Sequence, residues 1–149
     1  MAFRLVSSGG NVNDPVLLNV RSSGTITRDA PVQLVLGTTG ALVGPAGVDA
    51  TRTMLFGVGL DYRGDSVGDD YYTRVIRFTP EQLWDCDCAN AATTAQIGVR
   101  QALSASRGYI HNQATDSDGV TRVFLPTAMI GLTTGSGRLL GHFITYPGA

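Results

Sequence analysis

The chain has 149 residues, a length typical of one domain that can bury a core without help from a metal or disulfide. Its formal net charge of −1 provides no cationic field for phosphates, so no nucleic-acid partner is expected. No apolar run reaches the roughly 18 residues that cross a membrane, and residues 1–10 lack the apolar core of a secretory signal. No membrane partner is therefore expected.

The surface chemistry of the chain is unusual. Charged residues make up 15% of the sequence, against about 25% in typical globular domains, which indicates that part of the surface meets another protein. Every basic residue is an arginine, and Glu81 is the only glutamate. Arginine suits contacts between subunits because removing it from water costs less free energy than removing lysine, and because it binds a carboxylate through two hydrogen bonds. A GC-rich genome would leave the same bias, so both explanations stay open.

Short apolar runs alternate with Gly, Asn, Asp and Ser turn signals, a pattern typical of a β-sandwich or β-barrel. Strands are predicted, in chain order, over residues 3–6, 16–20, 31–36, 54–60, 71–78, 120–125 and 139–146. Pro126 is expected to end the strand over 120–125. The strand over 71–78 has polar and apolar residues on both faces, which fits a wet face or an interface.

One short helix is predicted over residues 79–84, where Thr79 supplies an N-cap, Pro80 the first helical position and Glu81 an acid in the first turn. Residues 91–104 fit a helix or a strand, with a strand favoured from Gln96 onward. The predicted fold is all-β: a compact β-barrel or β-sandwich, β-tulip-like or jelly-roll-like, with that helix. We expect an extended N-terminal arm over residues 1–8 and a single β-rich domain over residues 9–149.

The residues that could bind a metal lack the usual spacing. Cys86 and Cys88 are separated by one residue, whereas His111 and His142 lie far apart, so neither pair matches the spacings typical of structural zinc sites. No metal and no cofactor is expected. A disulfide across one intervening residue would be strained, so both thiols are predicted to be free in a reducing compartment.

Residues 57–65, Gly-Val-Gly-Leu-Asp-Tyr-Arg-Gly-Asp, resemble a motif of trimeric dUTP pyrophosphatases. That resemblance implies an all-β enzyme in which the first aspartate of the motif activates water. Aligning residues 61–64 places Gly59 at that position, and glycine offers no base. Residues 133–137 also lack the arginine and phenylalanine of the family's C-terminal motif. A nucleotide hydrolase with a displaced catalytic aspartate is therefore kept as the alternative function.

The order of elements resembles that of small capsid decoration (cement) proteins of tailed bacteriophages. The segments that carry this resemblance are residues 14–18, 41–46, 56–58, 75–84 and 141–144, together with a late glycine-rich hairpin. The resemblance implies a non-enzymatic virion protein that assembles in the host cytoplasm, binds the major capsid protein on the outer capsid surface and stabilises the head against internal pressure. It implies a homo-oligomer, with a trimer favoured and a dimer possible. Another head or tail component is a further alternative.

The resemblance and the composition together select two sets of contact residues, and no catalytic residue is predicted. The arm is expected to reach the shell and add to a sheet edge. Its predicted capsid-binding residues are Phe3, Arg4, Leu5 and Val6. Tyrosine and arginine are enriched in protein interfaces. The predicted subunit-interface residues are Tyr71, Tyr72, Arg74 and Arg77.

Overall fold

The described part of the chain consists almost entirely of β-strands. The computed structural model describes residues 3–7, 17–22, 24–35, 42–61, 72–104, 109–112, 119–130 and 137–145. Their strands are β1 (Phe3–Ser7), β2 (Leu17–Arg21), β3 (Ala30–Leu34), β4 (Val43–Pro45), β5 (Leu55–Gly59), β6 (Tyr72–Arg77), β7 (Leu83–Asp87), β8 (Ala102–Leu103), β9 (Ile110–His111), β10 (Phe124–Ile130) and β11 (Arg138–Phe143). Within those ranges, no helix is long and apolar enough to span a membrane.

These strands form two main sheets and one small ribbon, which confirms the predicted all-β fold. The first sheet has four strands in the order β1-β7-β11-β10, and the second has five in the order β2-β6-β5-β3-β4. Strands β8 and β9 form the ribbon. The strands paired within each sheet are antiparallel.

The second sheet curls until its two edge strands meet. Ser22, just after β2, forms a parallel bridge with Val43 of β4, and the Leu42 N–H donates to the Arg21 carbonyl over 2.8 Å. The sheet therefore closes at this end into a small barrel, and the edges of β2 and β4 are paired there.

The interior of this barrel is narrow and is filled by branched aliphatic side chains. They are Val20, Ile26, Val32, Val43 and Val75. A Cβ atom on Gly59 would lie 2.7 Å from Cγ2 of Ile26, and one on Gly57 would lie 2.7 Å from Cγ1 of Val75. Strand β5 passes this point only because both positions lack side chains.

A second and larger core contains a cluster of aromatic rings centred on Phe143. The ring of Phe143 stacks on Phe78 at a centroid distance of 4.1 Å and lies 4.9 Å from Phe124, 5.4 Å from Phe3 and 6.0 Å from Trp84. All five side chains are no more than 1% exposed. Each strand of the first sheet contributes one ring, and Phe78 follows directly after β6, so this cluster joins the two sheets.

Strand β5 also contributes to this larger core, through a bulge. Leu55 and Val58 both belong to the core although they are three residues apart, a spacing that would put them on opposite faces of a regular strand. The β3–β5 register shifts between Val32 and Gln33. The extra residue in β5 turns both side chains to the same side.

The predicted helix over 79–84 is wrong. The Thr79 N–H donates to Oε1 of Gln82 over 2.9 Å, and the Gln82 N–H donates to the Thr79 carbonyl over 3.2 Å. These bonds close a single turn, after which β7 begins at Leu83. Thr79, Pro80 and Glu81 suit the start of a helix. The next residues are extended instead, because Trp84 and Cys86, two positions apart, both point into the core from one side of β7.

Two other expectations are corrected. Pro126 lies inside β10 and does not end a strand, because β10 is an edge strand with a bulge between Pro126 and Ala128, where a missing N–H is tolerated. The strand favoured from Gln96 onward is limited to β8, and Thr94–Gln96 form a short 3-10 helix.

The residues expected to form an extended arm or an edge strand pair with the domain. Strand β1 pairs with β7, with Phe3 opposite Cys86 and Leu5 opposite Trp84. The Phe3 N–H also donates to the Asp29 carbonyl over 3.0 Å, which ties β1 to the barrel. Residues 3–7 are therefore an edge strand of the first sheet. They pack with the core, so the predicted division into an arm over 1–8 and a domain over 9–149 does not follow the packing.

Replacing Phe143 with alanine should lower the free energy of unfolding by about 4 kcal/mol, because the ring contacts four other aromatic side chains and leaves a cavity. Urea unfolding followed by the fluorescence of Trp84 measures this loss. The control is Val48→Ala, at a position that is 44% exposed, with an expected change below about 0.5 kcal/mol. Equal losses in the two variants would contradict the central position of Phe143.

Candidate functional site

Strand β6 presents Tyr72 and Arg74 to the outside of the barrel. Thr73 and Val75 alternate with them and are 0% exposed, whereas Tyr72 is 45% exposed. On the neighbouring strand β2, Leu17 is 53% exposed. The register places Asn19 opposite Arg74 and Arg21 opposite Tyr72. We call the outward side chains of Leu17, Asn19, Arg21, Tyr72 and Arg74 the β2–β6 face.

An ion pair holds Arg74 in place on this face. Its Nε and Nη2 donate to the two carboxylate oxygens of Asp61 over 3.0 and 2.8 Å, and its backbone N–H donates to the same group over 3.2 Å. The hydrogen bond to Asp61, followed by its charge, raises the pKa of the Arg74 guanidinium. Two parallel bonds fix the plane of the guanidinium, so the exposed side chain keeps one orientation.

A surface cavity of about 490 Å³ opens beside this ion pair. It is lined by Leu17, Leu18, Asn19, Asp61 and Arg74. An exposed leucine and an oriented arginine line this concave surface, and an exposed tyrosine lies on the same face. This is the composition of a protein contact.

The structure separates the predicted subunit-interface residues. Tyr72 and Arg74 share the β2–β6 face, whereas Arg77 lies on the other side of β6 with its Cζ 6.0 Å from the centre of the Phe56 ring. Arg77 therefore does not extend that face. Tyr71 lies outside the described residues.

The predicted capsid-binding residues also divide between the two sides of β1. Phe3 is 1% exposed, and Leu5 packs against the larger core. The prediction is corrected for Phe3, because a side chain buried in the core cannot contact a capsid. Val6 is 55% exposed on the outer side, and Arg4 binds Asp85. Capsid contact by Arg4, Leu5 and Val6 stays a prediction.

Arg4 is part of a charged cluster on the outer side of the first sheet, which the sequence pattern does not predict. Nη2 of Arg4 donates to Oδ2 of Asp85 over 2.8 Å, and Nε of Arg138 donates to Oδ1 of Asp85 over 3.0 Å. Nη2 of Arg138 also bonds Oδ2, and this hydrogen bond raises the pKa of Arg138. Asp85 is 5% exposed, so two arginines from β1 and β11 cover one aspartate on β7.

The side chains around this cluster are mainly aliphatic. Residues next to the inward-facing Trp84, Phe124 and Leu139 point outward, because side chains alternate along a strand. These outward residues include Leu83, Leu125, Leu140 and Ile130, all of which are half-buried. A sheet face in contact with water is usually polar, so this outer side of the first sheet is also suited to a protein contact.

The residues considered for metal binding are placed apart or sealed in the core. Cys86 and Cys88 are free thiols and both are 0% exposed. Nδ1 of His142 lies 2.8 Å from the Gln82 carbonyl oxygen, and His111 is on β9. In the ranges that the structure describes, no three His, Cys, Asp or Glu side chains are grouped to hold a metal ion.

Comparison with models of known protein families finds none that matches the chain, and comparison with curated proteins finds no match. The chain's own residues and the pattern of its sequence are therefore the basis for inferring its function. Its two outward surfaces, on β2–β6 and on the first sheet, are the candidate contact surfaces.

Replacing Asp85 with asparagine should lower the free energy of unfolding by about 2 kcal/mol, because it leaves two partly buried guanidinium groups without their carboxylate. Urea unfolding at neutral pH measures the loss. Glu81→Gln removes the same charge from an exposed turn and is the matched control, for which no measurable change is expected. A loss as small as that of the control would show that the cluster does not stabilise the sheet.

Because the thiol of Cys88 is buried, we expect the free energy of unfolding to fall in alkaline solution. Burial, followed by the charge of Asp87, raises the pKa of Cys88 from 9.0 to about 12. Above pH 9 the unfolded chain therefore loses a proton that the folded chain keeps, so unfolding becomes easier as the pH rises. Between pH 9 and pH 10 the decline in unfolding free energy should be about 1 kcal/mol smaller in Cys88→Ala than in the unmodified chain. Identical declines in urea titrations would contradict the raised pKa.

Proposed function

We propose that this chain is a structural virion protein that binds the outer surface of a tailed-phage capsid and stabilises the head, without catalysing a reaction. The observation that carries the proposal is the β2–β6 face, where exposed Leu17 and Arg74 line a cavity of about 490 Å³ and Tyr72 is exposed on the same face. The resemblance in element order to decoration proteins supports the same role and names the major capsid protein as the partner.

We assign the β2–β6 face to contact with the capsid, in place of the subunit contact that the sequence suggested for Tyr72 and Arg74. Its exposed side chains suit binding to another protein. Tyrosine and arginine are among the residues that contribute most to binding free energy at protein interfaces. Tyrosine buries a large area with few rotatable bonds, and arginine donates several directed hydrogen bonds. Asp61 already orients Arg74, so less side-chain entropy is lost when a partner arrives. The face lies on a curled sheet whose edge strands β2 and β4 meet at one end, and this pairing supports a contact of fixed shape.

Assembly would multiply the effect of each contact. A decoration protein binds a lattice at many equivalent positions, and linked contacts raise the total affinity without any new bond. Closed rotational symmetry is the common solution for identical subunits, so a homotrimer is favoured and a dimer is possible. In the virion, each oligomer would hold neighbouring capsid subunits together against the pressure of the packed genome.

The nucleotide-hydrolase alternative has less support. Both carboxylate oxygens of Asp61 accept bonds from Arg74, so this carboxylate is committed to an ion pair and is not poised to activate water. Gly59 stands where the motif's catalytic aspartate belongs, and a side chain there would meet Ile26 inside the barrel. Incubation with dUTP and magnesium tests this alternative, and pyrophosphate release that is lost in Asp61→Asn would support the enzyme and overturn the structural role.

The structural role predicts that the protein sediments with undecorated capsids at micromolar concentration. Tyr72→Ala should weaken this binding about tenfold, because it removes the largest exposed side chain of the β2–β6 face. Tyr109→Ala is the matched control, since Tyr109 is a tyrosine of similar exposure, 37% against 45%, outside that face. Thermal unfolding of each variant checks that the fold is unchanged.

Two results would contradict the proposal. The first is that the unmodified protein stays in the supernatant, and the second is that both tyrosine variants lose the same amount of binding. A second variant, Leu17→Ser, changes the neighbouring strand and should lose binding together with Tyr72→Ala. Loss in Tyr72→Ala but not in Leu17→Ser would limit the contact to β6 and contradict the proposed extent of the face.

A further inference from the structure

The outward side chains of the first sheet divide into an apolar end and a charged end. Because side chains alternate along a strand, Leu83 and Leu140 point away from the core on β7 and β11, the two central strands. Leu125 lies on β10 opposite His142, and Val6 lies in the bulge of β1 beside Leu83. We call Val6, Leu83, Leu125 and Leu140 the apolar end of the first sheet.

The apolar end is in contact with water. Val6 is 55% exposed, and the three leucines are half-buried. The imidazole of His142 lies beside Leu125, and its Nδ1 is 2.8 Å from the Gln82 carbonyl oxygen, so the polar edge of the ring is bonded from within the chain. Covering this surface would remove apolar area from water, which is favourable.

The charged end of the same side is balanced. Arg4 and Arg138 both bind Asp85, and Nε of Arg138 lies 3.9 Å from Oδ1 of Asp87. Over the ranges that the structure describes, two arginines and two aspartates thus leave this end without net charge. The arginine side chains are 36% and 38% exposed, so they reach the surface already paired.

A contact between two copies of one chain imposes a requirement on charge. In a two-fold symmetric dimer each patch meets its own copy, so a patch with a net charge repels itself. Groups near the axis must be uncharged, and charged groups are best placed at the rim, where they are already paired. The outer side of the first sheet meets both conditions, whereas a strongly charged partner would gain no net attraction from it.

We propose that the outer side of the first sheet binds the same side of a second copy of this chain, with Leu83 and Leu140 at the centre of the contact. The two sheets then pack face to face, as the sheets of a β-sandwich do. This inference rests on the proposed function only for the place of the dimer on a capsid, and it selects the dimer over the trimer as the homo-oligomer. The contact uses no residue of the β2–β6 face.

The mass of the isolated chain in solution tests this contact. Sedimentation equilibrium at about 100 μM should give twice the 15.7 kDa of one chain. Leu83→Glu should raise the dissociation constant about a hundredfold, because it brings an unpaired carboxylate from each copy close to the axis. Leu17→Glu is the matched control, since Leu17 is a leucine 53% exposed on the β2–β6 face, and it should leave the dissociation constant unchanged.

Opposite charges at one position distinguish a contact between copies from damage to the fold. Leu83→Lys alone should also sediment as a monomer, whereas an equal mixture of Leu83→Glu and Leu83→Lys should recover the dimer mass, because opposite charges then meet across the axis. Thermal unfolding of each variant checks that it is folded.

Three results would overturn the proposal: a monomer or trimer mass for the unmodified chain, equal weakening by Leu17→Glu and Leu83→Glu, or no recovery in the mixture. These measurements use no capsids, so failure of the dimer and failure of capsid sedimentation are separate outcomes.

Discussion

The buried amide of Gln82 holds the point where the chain passes from the barrel to the first sheet. Its Oε1 accepts the Thr79 N–H and the indole N–H of Trp84, and its Nε2 donates to the Arg77 carbonyl over 3.0 Å. Its own carbonyl is bonded by the ring of His142 over 2.8 Å. Because these bonds connect β6, β7 and β11, the aromatic core and both outward surfaces depend on this crossing. A buried amide with every group paired is stabilising, whereas a partly paired one would be costly.

Both candidate surfaces follow from the way the sheets divide their side chains. In the barrel, inward valines leave Tyr72 and Arg74 outside, and in the first sheet inward aromatic residues leave Arg4, Asp85 and Arg138 outside. In each case an aspartate orients an arginine that is more than one third exposed. Exposed arginines held in this way offer directed bonds to a partner at a reduced entropic cost. Several of the few charged residues in the sequence are therefore used in organised ion pairs.

The sequence predicted the strands better than their partners. The alternation at residues 71–78 located β6, and the apolar runs located β2, β3 and β5, because these signals depend on neighbours along the chain. The helix at 79–84 was wrong because the side chain of Gln82 imitates a cap within a single turn. The Asp85 cluster could not be predicted, since Arg4 and Arg138 are 81 and 53 residues away from it and meet it only through strand pairing. Tyr72, Arg74 and Arg77 were all proposed as interface residues from composition, and only the fold shows that Arg77 lies on the other side of β6 from the first two.

The strand order also has a consequence for synthesis on the ribosome. All five strands of the barrel lie within residues 17–77, so the barrel can close while the rest of the chain is still being translated. Strand β1 leaves the ribosome first, yet its partner β7 begins at residue 83. Phe3 therefore lacks its strand partner until residues 83–87 have been made, and it lacks the ring of Phe143 until β11 has followed. During that interval the nascent chain carries an unpaired strand, and the finished sheet can form only after elongation has passed β11.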